Sequence, residues 1–146
     1  MTASVIEQTL DRAATVLKAS VTAVAGRVYR GRVDALSDSE LPALVLARIA
    51  TDHDAPGDHS LGTVLQLDLH CLAGGANWET LADDLSVAAD TALQSDEILA
   101  GLCRGLRLVH TAADAAPGQR GPVGRLILRY QAKYITRRGQ LTAAQT

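Results

Sequence analysis

The sequence predicts an α+β domain: a mixed, mostly antiparallel sheet of about four to five strands with two main helices packed on one face. Three observations carry that prediction. Residues 64–71 and 124–136 alternate apolar and polar side chains, the period of a half-buried strand. Residues 3–25 and 78–92 repeat apolar positions every three or four residues, the period of a helix with one dry side. The element order is helix, strand, strand, strand, helix, strand, strand. Its connections are short, so neighbouring strands pair and both helices lie on the same side.

The first helix, 3–25, brings Ile6, Leu10, Ala13, Ala14, Leu17, Val21 and Val24 to one stripe, and Gly26 supplies a stop. Residues 27–33 are basic and partly apolar, as in an edge strand, and 34–40 are a polar loop. After Pro42 the run 43–50 is almost continuously apolar, which suits a strand covered on both faces. A loop, 51–62, then joins two strands as a long hairpin. In the next strand Leu65, Leu67, Leu69 and Cys71 face the core, while Gln66, Asp68 and His70 face away.

Gly74-Gly75 breaks that strand, Asn77 stands at a helix N-cap, and Trp78, Leu81, Ala82, Leu85, Ala88, Ala89 and Ala92 form the second helical stripe. Asp83, Asp84, Ser86, Asp90 and Thr91 lie opposite. A short helix near 96–102 is capped by Ser95 or Asp96. In the strand candidate 104–111, Leu106, Leu108 and His110 share a side, and 112–122 reads as loop. In 124–136, Leu126, Leu128, Tyr130, Ala132 and Tyr134 face one way. Arg125, Ile127, Arg129, Gln131 and Lys133 face the other. The polar tail from about residue 138 frays.

The chain is one domain, 1–146, long enough to bury a core without metal or disulfide. A net charge of -2 disfavours a protein built on direct nucleic-acid binding, sequence-specific or otherwise, and the lack of Phe with a single Trp removes a base-stacking platform. No apolar run is long enough to span a membrane, and no secretory signal is evident at the N-terminus. Cys71 and Cys103 have no metal-ligand spacing and are expected as free, buried thiols of a cytoplasmic protein.

Few residues suggest chemistry. Asp52, His53, Asp54, Asp58 and His59 place five potential metal ligands on one loop, in a spacing that matches no known motif; a solvated hairpin tip explains them better. Cys71 cannot pair with His70, because adjacent strand side chains point to opposite faces. The expectation is no catalytic, metal or cofactor site. The last strand carries more. Arg125, Arg129 and Lys133 share a face with Ile127, Leu44 or Leu46 can join it, and Asp68 is placed to pair with an arginine. A mixed apolar and charge-paired face, bare of helices, has the make-up of a subunit interface.

The ordered set of segments VYRGRVDALSDSELPALVL, HCLAGG, WETLADDLSVAADTALQSDEILAGL and GRLILRYQAKYIT resembles the minor tail or tail-terminator proteins of long-tailed bacteriophages and prophages. The matching residues are Val28-Tyr29-Arg30, Leu36, Glu40-Leu41-Pro42-Ala43, Leu93, Asp96, Leu99, Gly101-Leu102, Tyr130, Tyr134 and Thr136. The resemblance implies a structural virion-assembly protein, not an enzyme. It would form a ring of about six subunits on the end of the tail tube, stop tube polymerisation and present a surface for head joining. Its implied partners are further copies of itself, the tail-tube protein and a head-completion or neck protein. Its place would be the host cytoplasm during assembly and then the virion tail. Closed rings need two different matching patches; the candidates are Asp68 with Arg125, Arg129 and Lys133, and the acidic helix surface of Asp83, Asp84 and Asp90. A neck protein is the neighbouring alternative; a small metal-dependent enzyme using 52–59, or a domain that merely dimerises, are alternatives of other classes.

Overall fold

The computed structural model describes residues 3–31, 40–54, 60–118, 121–137 and 140–144. Helix α1 (Val5–Ser20) begins at Ser4, whose side chain accepts from the Glu7 amide. The helix stops earlier than its apolar period does: Val21 leaves helical geometry, and a 3-10 turn (Thr22–Val24) carries Val21 and Val24 on into the core. Ala25 and Gly26 both take positive φ, which reverses the chain into β1 (Val28–Arg30).

Strands β2 (Ala43–Asp54) and β3 (Ser60–Gly74) form the expected antiparallel hairpin. Helix α2 (Trp78–Ser95) folds back from it, and α3 (Glu97–Leu102) follows. A second long hairpin, β4 (Gly105–Gly118) with β5 (Gly121–Arg137), leads into β6 (Gln140–Ala144). The sheet order is β1-β2-β3-β5-β4, with β6 on β5; β1 runs parallel to β2 and every other pairing is antiparallel.

The fold class and order agree with the sequence, and several boundaries do not. Residues 112–118, read as loop, are strand, because β5 offers an unbroken partner from Val123 to Leu128. The tail is not all frayed, since residues 140–144 pair with β5. Strand β2 is covered on both faces only at its start: Ala43 to Leu46 are buried, and Arg48 to Ala50 are exposed.

The core lies between the helices and one face of the sheet. Leu10, Leu17, Val21 and Val24 of the first helical segment meet Leu44, Leu46, Leu65, Leu67, Leu69, Cys71, Leu128, Tyr130, Ala132 and Tyr134. Leu44 and Leu46 therefore belong to the core and not to the open face; their neighbours Val45 and Ala47 take that place, opposite His70 and Asp68. The α2 stripe is also rotated from its expected position. Ala82, Leu85, Ser86, Ala89 and Leu93 are buried, whereas Leu81 is 47% exposed and Ala88 faces solvent. Ser86 tolerates burial because its hydroxyl donates to the Asp83 carbonyl at 2.7 Å. Asn77 makes no side-chain cap, while Asp96 does, accepting from the Leu99 amide at 2.6 Å.

Two polar anchors tie the layers. Asp96 also receives a bidentate Arg12, at 3.2 and 2.8 Å, which fixes α1 to the start of α3. The Tyr130 hydroxyl donates to Asp90 at 2.7 Å, so Asp90 turns toward the sheet and not to the outer helix surface. Burial and that carboxylate together raise the Tyr130 pKa. Trp78 closes the end of the layer by lying on Gly124, where an added Cβ would come within 2.0 Å of the indole ring.

Candidate functional site

The face of the sheet away from the helices is built in rows, because strands in register bring like-facing residues side by side. One row reads Val45, His70, Ile127, Ala112; the next reads Ala47, Asp68, Arg129, His110; a third reads Ala50, Gln66, Gln131, Arg107. The expectation that His110 shares a side with Leu106 and Leu108 fails here. A bulge between Leu108 and His110 moves His110 to the open face, opposite Arg129 and away from Leu106 and Leu108.

Asp68 pairs with an arginine as expected. The Arg129 Nε and Nη2 donate to its two oxygens at 2.9 and 3.0 Å, and Asp68 is 5% exposed although no described helix covers it. The guanidinium acts as the lid. Arg125 makes the same fork onto Asp114 at 2.7 and 2.8 Å, and its Nη1 stands 3.4 Å from His70 Nδ1. Arg125 thereby holds the Asp114 carboxyl below its ordinary pKa. Burial, then the Arg125 charge, lowers the His70 pKa.

The structure thus brings Asp68, Arg125 and Arg129 onto one face and occupies both arginines within the chain. Lys133, on the same face, is exposed with no ion-pair partner among the described residues. Asp83 and Asp84 are exposed on α2, on the other side of the sheet, and Asp90 is withdrawn by Tyr130. Helices α2 and α3 hold Glu79, Asp83, Asp84, Asp90 and Glu97, and no Lys or Arg. The acidic helix layer and the arginine face cannot meet within one molecule. They can meet only between molecules.

The described members of the residues read as possible chemistry do not assemble into a centre. Cys71 and Cys103 are free and buried, and burial pushes the Cys71 thiol up to about 12, well away from a reactive thiolate. Asp52 and His53 sit on adjacent strand positions opposite Val64 and Thr63, so they point to opposite faces; His53 Nδ1 lies 3.0 Å from Thr63 Oγ1. Asp58, His59 and the Asp54 side chain lie outside the described residues. Among the described residues no three His, Cys, Asp or Glu side chains stand together as metal ligands, and no helix is long and apolar enough to cross a membrane.

Sequence reasoning missed two surface features. Each lies along an edge of the sheet, beneath a helix. Asp83, Val87, Thr91, Leu108 and Thr111 line a groove between α2 and β4. Leu10, Arg30, Leu46, Ala47 and Arg48 line another between α1 and β2. The second groove depends on where β1 stops, and a basic heptapeptide such as RVYRGRV holds no signal for that point.

No protein-family model matches the chain, and no curated protein sequence does. Among solved structures it is similar to a chain of the virion of the native gene transfer agent particle. The match covers 89% of this chain and 90% of that one at 21% identity, with a TM-score of 0.53. At that identity the likeness is one of fold, and it spans nearly the whole of both chains.

Proposed function

We propose that this protein is a structural component of a phage-like virion. It caps the tail tube as a ring of about six subunits, ends tube polymerisation and forms the surface for head joining. The observation that supports this reading is the near end-to-end fold likeness to a chain of a gene transfer agent virion. The surfaces are consistent with it. A sheet face left bare of helices and laced with paired charge suits docking, as does an acidic helix layer carrying exposed Leu81, Val87 and Ile98. In this proposal Asp68, Arg125 and Arg129 shape the open face, while Lys133, Asp83 and Asp84 carry charge available to a neighbour. The protein works with copies of itself, the tube protein and a head-completion protein, first in the host cytoplasm and then in the tail.

The test is tube growth. Added to polymerising tube protein of the same particle, this chain should give tubes of limited length with a ring at one end by electron microscopy. Lys133→Glu, at an exposed position, should weaken capping while leaving the circular dichroism spectrum unchanged. Binding to head portals with no effect on tube length would instead assign the chain to the neck. Unlimited tubes with no bound ring would overturn the proposal.

A further inference from the structure

We propose that neighbouring copies join edge to edge, β4 of one molecule against β2 from Ala47 onward in the next, with Arg48 entering the acidic groove at Asp83. The inference deepens the ring reading and rests on it for closure, but its contact is argued from the sheet itself.

Strand β4 is an edge strand of fourteen residues. One side pairs with β5 along its whole length, and among the described residues no strand pairs with the other. Both of its faces are exposed from Arg107 to Gly118. Ala112, Ala113, Ala115 and Ala116 leave the backbone approachable, and Leu108 and Val109 are each 38% exposed. Natural sheets usually shield such an edge by keeping it short, or with lysines and inward charges. Here the shielding is a bulge after Leu108, the charges of Arg107 and Asp114, the latter drawn to Arg125, and Pro117 near the end.

Among the described residues the opposite edge of the sheet is also only partly paired. Strand β1 covers β2 only at Leu44 to Leu46, and the Gly31 amide makes the last bond, to the Leu46 carbonyl at 2.9 Å. From Ala47 to Asp54 no described strand lies beside β2, and Ile49 is 48% exposed at its bulge. Strand directions agree with a junction. Counting β2 as up, β3 runs down, β5 up and β4 down. A copy related by rotation about an axis along the strands keeps those directions, so β4 would meet the next β2 antiparallel, the favourable pairing.

The grooves beneath the helices add charge complementarity. The β4 groove presents Asp83, which has no cation among the described residues. The β2 groove presents Arg48, whose Nη2 donates to the Thr51 hydroxyl at a long 3.3 Å. The neighbouring Arg30 is held by Glu7 and Asp11. A head-to-tail contact of this kind uses a different patch on each side of every copy, as a closed ring requires. The partner is therefore a second copy of this chain.

The experiment measures the mass of the full chain by light scattering over a concentration series at low salt. Asp83→Arg and Arg48→Asp should each raise the concentration needed for assembly by about tenfold or more, and the chain carrying both changes should recover most of that loss. Ala113→Lys should also impair assembly. Amide exchange along β4 should slow in the assembled wild type. Assembly unchanged in both single variants would overturn the edge contact while leaving the ring reading intact. Single losses without recovery in the double variant would overturn the Arg48–Asp83 pairing. A wild type that stays monomeric throughout, with fast β4 exchange, would overturn the edge contact; tube capping by that same sample decides separately whether the ring reading falls.

Discussion

On one side of the sheet Leu65, Leu67, Leu69, Leu128, Tyr130 and Tyr134 disappear beneath two helices; on the other, alternate residues of the same strands make a ladder of forked ion pairs under open water. Both faces descend from one period of two along β3 and β5. They differ in what holds them. The covered face is held by shape, where each side chain is fixed by its neighbours' volume. The open face is held by charge, with Arg129 over Asp68 and Arg125 over Asp114. A face held by shape resists any change in size. A face held by paired charge remains available to a partner, because little of it is committed to the chain's own core.

The largest effect should therefore come from adding volume on the covered face. Gly124→Ala drives a methyl group into Trp78, which sits within 2.0 Å of the position it would take. The expected loss is about 3 kcal/mol in urea unfolding. Trp78→Ala in the same chain should return part of it, since the two positions share one contact. A Gly124→Ala protein of wild-type stability would show that the covered face is not held by shape at this end.

On the open face, Asp68→Asn keeps volume and removes charge. With Asp68 enclosed and receiving both arms of Arg129, the loss should be about 1–2 kcal/mol. That is smaller than the Gly124 effect but above the scatter of surface substitutions. A neutral outcome would mean that the ladder serves recognition alone.

The two tyrosines of β5 sharpen the comparison within the covered face. Tyr130→Phe removes the bond to Asp90 and should cost about 1 kcal/mol. The Tyr134 hydroxyl is fully enclosed and has no partner within bonding distance among the described residues; its polar neighbour is Thr9, whose hydroxyl donates to the Val5 carbonyl at 2.8 Å. Tyr134→Phe should change stability by less than about 0.5 kcal/mol and can raise it. If both changes cost the same, the phenol of Tyr134 has a partner in solution.

The contrast between the faces was legible where the strands alternate cleanly. Period two in β3 and β5 places Asp68 and Arg129 on one face without knowledge of the register, and every residue of the first helical stripe is buried, although Val5, Thr9 and Val16 are buried beside it. Legibility failed where a partner decides. Residues 112–118, rich in Ala with Pro and Gly, have poor strand propensity and are strand because β5 holds them. His110 changed sides through one bulged residue, which no pattern of alternation reveals. Asp90 looked like outer charge and became an anchor because Tyr130 happens to lie beneath it. The edges were the least legible feature, since an edge is defined by which of the described strands pair and which do not.

The smallest effect should be one of pH, and it tests whether the open face is tuned as a unit. His70 is half-buried in the ladder; desolvation and then Arg125 lower its pKa from the ordinary 6.5, against opposing pulls from Asp68 and Asp114. Between the folded value and 6.5 the unfolded chain binds more protons than the folded one, so stability falls as pH drops through that window. Above 6.5 the contribution is complete; below the folded value the loss has levelled off. Stability curves of the wild type and His70→Gln, measured from neutral pH downward, should therefore diverge first around 6.5, before the carboxylates titrate, with the variant the flatter of the two. Parallel curves would mean that Asp68 and Asp114 offset the burial of the ring, and that the ladder is electrically neutral to a proton at its centre.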